Sequence, residues 1–179
     1  MNIGTQKSVV KVFFVSLLFF VFSNGCGGYH FASDYNNLPG EITSIEIPFF
    51  QNETYEANIE SYFTRALINE FIKNKKFTIL PHGADATLSG IVKDFRATTI
   101  SYSSQDKVLE YRAHVTLEIT LKNNHTRETI WRKPSLTSEE DYKVSSVDLA
   151  FTDATKKVAF QQIANEVAEQ IYEELVLGF

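Results

Sequence analysis

The sequence predicts an α+β fold, a two-layer sandwich with two long helices on one face of a mixed, mainly antiparallel sheet of four to five strands. Two observations carry most of this. Val108 to Lys122 alternates strictly, with Tyr111, Ala113, Val115, Leu117, Ile119 and Leu121 on one face and Arg112, His114, Thr116, Glu118 and Thr120 on the other. One face is therefore buried and one wet, as in an antiparallel sheet covered on a single side. Two other segments repeat apolar residues at three- and four-residue steps, the signature of amphipathic helices that need such a face to cover.

Taken in order, Ile42, Ile45 and Ile47, closed by Pro48, predict a short strand, and Phe49 to Thr54 a turn. From about Ala57 the period becomes helical at Ile59, Tyr62, Phe63, Ala66, Leu67, Phe71 and Ile72, ending in Lys73-Asn74-Lys75-Lys76. Those lysines suit the negative end of a helix dipole. Phe77 to Leu80 is a second strand, and the helical crossover makes it parallel to the first. After the Pro81-His82-Gly83 loop, Ala84 begins a long strand reaching about Tyr102, with Ser103 to Lys107 as a polar tip before the alternating strand. Asn123 to Thr126 forms the next turn, and Thr129 starts a last strand toward Tyr142. Ser145-Ser146 offers a helix cap before Asp148. The final helix runs to about Leu175, with Phe151, Ala154, Val158, Ile163, Val167, Ile171 and Leu175 on or near one face.

The start of the chain reads differently. Lys7 and Lys11 precede Val12 to Phe22, eleven residues with only Ser16 polar, which fits a signal peptide and is too short for a span of about 20 residues. Cys26, the single cysteine, follows the small Gly25. A lone cysteine makes no internal disulfide, so its position carries its meaning. Cleavage before Cys26 leaves an N-terminal thiol for acylation, so residues 1–25 are expected as a lipoprotein signal, 26–41 as an acylated tether and 42–179 as one domain. Asp is absent after Cys26, which points to the outer membrane. Ser23 stands three residues before the cysteine, where lipoprotein signals usually carry Leu.

Composition narrows function. A hydrophobic fraction of 44% excludes a disordered chain, and a formal charge of −5 argues against nucleic acid, whose phosphates need a basic surface. Nucleophile motifs, phosphate loops and metal spacings are missing: His30, His82, His114 and His125 are scattered. Neither enzyme activity nor a cofactor is expected. Binding is the better expectation. Lys93, Arg96, Lys107, Arg112, Arg132, Lys133 and Lys143 all fall in the strand region of an acidic chain, where they suit lipid phosphates. The alternative is an ordinary charged sheet face, with neighbours such as Glu110 and Glu118. Glu139-Glu140-Asp141 reads as a solvated strand end.

Several stretches point to a family. Cys26-Gly27-Gly28-Tyr29-His30-Phe31 resembles, with one extra glycine, the Cys-Gly-Tyr/Trp-His start of mature LptE lipoproteins. Similar matches follow in order at Ile45 to Thr54 (IEIPFFQNET), Ala84 to Gly90 (ADATLSG), Glu110 to Val115 (EYRAHV) and Ile130-Trp131. The resemblance implies a non-enzymatic outer-membrane lipoprotein that plugs and helps assemble the LptD β-barrel, contacts lipopolysaccharide, and is held to the membrane by its acyl anchor on the periplasmic side, within the barrel lumen. Two rivals remain at this point: a lipid carrier with an apolar pocket between helices and sheet, and a periplasmic enzyme with a dispersed site.

Overall fold

A computed structural model describes Leu38 and residues 42–177. The expected signal peptide, Cys26 and most of the expected tether lie outside the described residues. Leu38 is buried in the main core.

The elements are β1 (Ser44–Glu46), β2 (Gln51–Asn52), α1 (Ile59–Asn74), β3 (Thr78–Ile79), β4 (Ala86–Tyr102), β5 (Val108–Asn123), β6 (Thr129–Lys143) and α2 (Leu149–Leu177). They form one mixed sheet in the order β3-β1-β4-β5-β6, with β2 also paired to β4. β1 pairs parallel with both β3 and β4, as the helical crossover requires, and β4-β5-β6 is an antiparallel meander. The predicted α+β sandwich is the observed fold. One difference is β2. Phe49 to Thr54 is not simply a turn, because Gln51 and Asn52 pair in parallel with Ile91 and Val92. Two residues are too few for an alternation to register in sequence.

The side chains of Phe63, Phe71 and Phe160 are fully buried with Leu88, Leu117, Ile119, Leu121, Ile163 and Ile171, so the space between helices and sheet is filled by side chains. Tyr62 meets Phe160 edge-on at 5.7 Å and Phe71 meets Tyr172 at 5.2 Å, so α1 and α2 run parallel. Phe95 stacks edge-on against Phe160 at 5.2 Å, joining the sheet to α2. Aromatic pairs in this geometry add about 0.5–1.5 kcal/mol each beyond area burial.

The core face of α2 is Ala159, Phe160, Ile163, Ala164, Val167, Ala168, Ile171, Leu175 and Val176. Phe151, Ala154 and Val158, expected on that stripe, are exposed. The reason is helical phase: at about 100° per residue, Phe151, Ala154 and Val158 each stand nine residues before a core residue (Phe160, Ile163 and Val167), half a turn round the helix, so they face away from the core. The cap also differs from expectation. Asp148 Oδ1 accepts the Phe151 N–H at 2.9 Å, while Ser145 Oγ accepts from the N–H groups of Val147 and Asp148 in the preceding turn.

Candidate functional site

Two of the stretches singled out in sequence are structural pins. The carboxylate of Asp85 accepts four hydrogen bonds on one oxygen, from the backbone N–H and the hydroxyl of both Thr43 and Ser44, at 2.8–3.0 Å. These donors, the Thr43 N–H foremost, hold its pKa well below the usual carboxylate range. A carboxyl depressed in the folded state contributes stability in full above the unfolded pKa, and loses it only as pH falls through the folded value. The staple is thus complete at neutral pH. Beside it, Asn124 donates to the Ala84 carbonyl and accepts from the Thr87 hydroxyl. Together they fix the start of β1 to the β5–β6 turn.

At the next stretch, Asn52 Oδ1 accepts from the N–H and hydroxyl of Thr54, and its amide donates to the Glu56 carbonyl and to Glu60. The Phe50 N–H donates to Thr64 of α1 at 3.1 Å. The Phe50 ring then lies over Gly90, where a Cβ would sit only 2.1 Å from a ring carbon. Sequence reading singled out both stretches without seeing why. The short polar residues and the glycine are there because the β1–α1 link is pressed against β4.

The expected lipid-contact cations fall into two groups. Lys93 pairs with Glu53, Arg96 with Asp94 at 2.8 Å, Arg132 with Glu118 at 2.6 Å and Lys133 with Glu174 at 2.8 Å. Arg112 is held most firmly: it makes a two-pronged contact with Asp141 at 2.7 and 3.0 Å and lies 3.2 Å from Glu139. That contact raises the guanidinium pKa and lowers that of Asp141. His114 bridges Glu139 and the Thr98 hydroxyl, both at 3.0 Å, with its Nδ1–H donating to the carboxylate. The Glu139-Glu140-Asp141 run thus gives Glu139 and Asp141 to a cross-strand ladder on the open face of the sheet. No group of three metal-ligating side chains occurs among the described residues.

Lys107 and Lys143 make no ion pair among the described residues. Lys107 ends the hairpin tip, where its N–H donates to Ser103 Oγ and its carbonyl accepts from the Ser103 N–H. Lys143 stands opposite Glu110 in the β5–β6 register, about 10 Å further along. Between and around them Ile100, Tyr102, Leu109, Val147 and Leu149 are exposed. The sheet thus carries at this end two uncommitted cations within an apolar surround, opposite to the end where Ile42 enters. A groove of about 280 Å³ between the helices is polar in part, with Asn69, Glu70, Lys73, Asn165 and Glu169 beside Ala66 and Ala168. It opens on the face of the helices away from the sheet and is not the apolar pocket a lipid carrier needs.

Among solved structures the fold is similar to a protein from Caulobacter crescentus, with 12% identity over 74% of this chain and 88% of that one and a TM-score of 0.55. It is also similar to rare lipoprotein B from Shewanella oneidensis, with 13% identity over 73% of this chain and 92% of that one and a TM-score of 0.51. At these identities the likeness establishes the fold alone. No curated protein sequence matches the chain. The family model described as LptE, lipopolysaccharide-assembly, matches residues 42–175.

Proposed function

From the premise that this chain belongs to the LptE family of lipopolysaccharide assembly, we propose that it is an outer-membrane lipoprotein that plugs an LptD-type β-barrel, helps it assemble, and assists lipopolysaccharide on its way to the outer leaflet, without catalysing a reaction. The family match over nearly the whole described domain is the observation that carries this reading. The packed interior supports it over a carrier, since a plug needs a solid body whereas a carrier needs an apolar cavity. The interior of a barrel of this kind is polar, which suits the charged ladder on the open sheet face. In this reading the anchor is an acylated Cys26 and the domain lies on the periplasmic side, within the lumen.

The test is a pull-down of the tagged protein from detergent-solubilised outer membranes, followed by mass spectrometry. Co-recovery of one large β-barrel in about equal amount is expected. Recovery of the lipoprotein alone, or with lipid only, overturns the plug.

For contact with lipopolysaccharide, Lys107 and Lys143 are the strongest of the sequence-nominated cations. A phosphate reaching Lys93, Arg96, Arg112 or Arg132 has to displace a carboxylate first, whereas these two meet it directly. The exposed apolar side chains beside them suit the rest of an amphiphile. Lys107→Glu combined with Lys143→Glu is expected to weaken lipopolysaccharide binding by on the order of a hundredfold, as loss of two charge-assisted contacts implies. The thermal midpoint is expected to hold within about 2 °C, because both side chains are at the surface. Unchanged affinity in a direct binding titration rules the pair out.

A further inference from the structure

The chain enters the domain through a short central strand. Leu38 is buried in the main core, and Ile42 then leads into β1, which lies between β3 and β4 and is parallel to both. So short a strand makes few ladder contacts. β1 meets β4 only at Ile45–Ala86 and Glu46–Thr87, and β3 only at Ser44–Thr78 and Ile45–Ile79. Its start is held instead by Asp85, the residue just before β4. Besides the bonds that the carboxylate accepts from Thr43 and Ser44, the Asp85 N–H donates to Ser44 Oγ at 3.0 Å. Asp85 is fixed in turn to the other side of β4. Its carbonyl accepts from the Asn124 N–H at 2.8 Å, and the Asn124 amide donates to the Ala84 carbonyl. These bonds join the point of entry to the β4–β5 hairpin, whose tip at Ser104 lies at the opposite end, about 50 Å away by strand length.

We propose that Asp85 is a mechanical clamp, which keeps the domain folded when its anchored start and its hairpin end are drawn apart. Direction is what gives the clamp its effect. β1 and β4 are parallel neighbours, so a pull on the start of β1 and on the far end of β4 slides one strand along the other. The hydrogen bonds between them run from strand to strand, and such a slide strains all of them at once. Asp85 adds its five bonds at the same level, and the four accepted by the charged oxygen are each about twice as strong as a neutral bond. A pull between the start of β1 and the end of α2 acts differently. α2 begins at the hairpin end, where the Thr155 hydroxyl donates to the Lys143 carbonyl, and its last turns therefore lie at the end where the chain enters. That pull acts across the strands and opens their bonds one after another. The clamp rests on the proposed anchor and plug for the source of the axial load, while its geometry stands without them.

Optical-tweezers unfolding of the unacylated mature chain tests this, with handles on two thiols. Cys26 is the single native cysteine, so one added cysteine sets the second point of attachment. Cys26 with Ser104→Cys, at the exposed hairpin tip, loads the long axis, and Cys26 with Glu173→Cys, exposed near the end of α2, loads across it. The axial pair is expected to unfold at clearly higher force. Asp85→Asn is expected to shorten the lifetime under constant axial load by on the order of thirtyfold, as loss of a charge-assisted bond implies, and by less than about threefold under the transverse load. Thr43→Val removes one hydroxyl donor, leaves the carboxylate in place, and is expected to show the same directional contrast at about fivefold. Equal unfolding forces along the two axes in the native chain overturn the clamp. So does a loss of lifetime of the same size along both axes in these variants, which would make Asp85 a residue of general stability. The handles attach to the thiol itself, so the result holds whether or not the cell acylates Cys26, which mass spectrometry of the purified lipoprotein decides separately.

Discussion

Gly90→Ala is expected to destabilise the domain by about 3 kcal/mol, the range reached when a buried aromatic loses its site. The new methyl would lie 2.1–2.4 Å from three carbons of the Phe50 ring, so the ring must leave its site. Phe50 is 4% exposed, and its own backbone N–H is tied to Thr64, so the backbone cannot retreat without giving up that bond. The measurement is urea unfolding of the native chain, Gly90→Ala, Phe50→Ala and the double variant. Each single change is expected to lower the midpoint strongly. In the Phe50→Ala background the clash is gone, and Gly90→Ala is expected to cost less than about 1 kcal/mol, a residual set by the strand preference of the residue itself. Additive losses from the two single variants would mean that Gly90 matters for something other than Phe50.

Cys26→Ala is expected to release nearly all of the protein from the outer membrane when the barrel partner is depleted. The proposed anchor carries more than one acyl chain, and each buried methylene is worth about 0.8 kcal/mol, so membrane retention rests on that thiol. No described helix is long and apolar enough to cross a membrane. Urea unfolding of the Cys26→Ala chain is expected to match the native midpoint, since the proposed domain begins at residue 42. The measurement is membrane fractionation with immunoblotting, in cells with and without the barrel. Retention of Cys26→Ala protein in outer membranes lacking the barrel would show that the anchor lies elsewhere.

Much of the fold was legible because strands and helices write different periods. The alternation of β5 gave both its faces correctly, from Ala113 through Leu121 inward and from Arg112 through Thr120 outward. The strand–helix–strand start implied the parallel β1–β3 pair, which is present. Period failed where a local device interrupts it. In β4, Ala86, Leu88 and Val92 face the core on even positions, but the irregularity after Val92 changes the parity, so Phe95 rather than Asp94 faces α2. A bulge adds a residue without leaving a residue type that announces it.

For the candidate site, the sequence by itself determined which residues were charged, that the chain is acidic, that its one cysteine follows an apolar run, and which family its ordered motifs resemble. Only the tertiary structure decided which cations are committed. Lys93 finds Glu53 from forty residues away, and Arg112 finds Asp141 across a strand pair, while Lys107 and Lys143 make no ion pair among the described residues. Likewise only the irregularity after Val92 and the docking of α2 on the sheet decided that Phe95 packs against Phe160, at 5.2 Å. The physical reason is common to both. Periodicity and composition are properties of a segment, whereas ion pairing and burial depend on what lies opposite, and that is set by contacts between residues far apart in the chain.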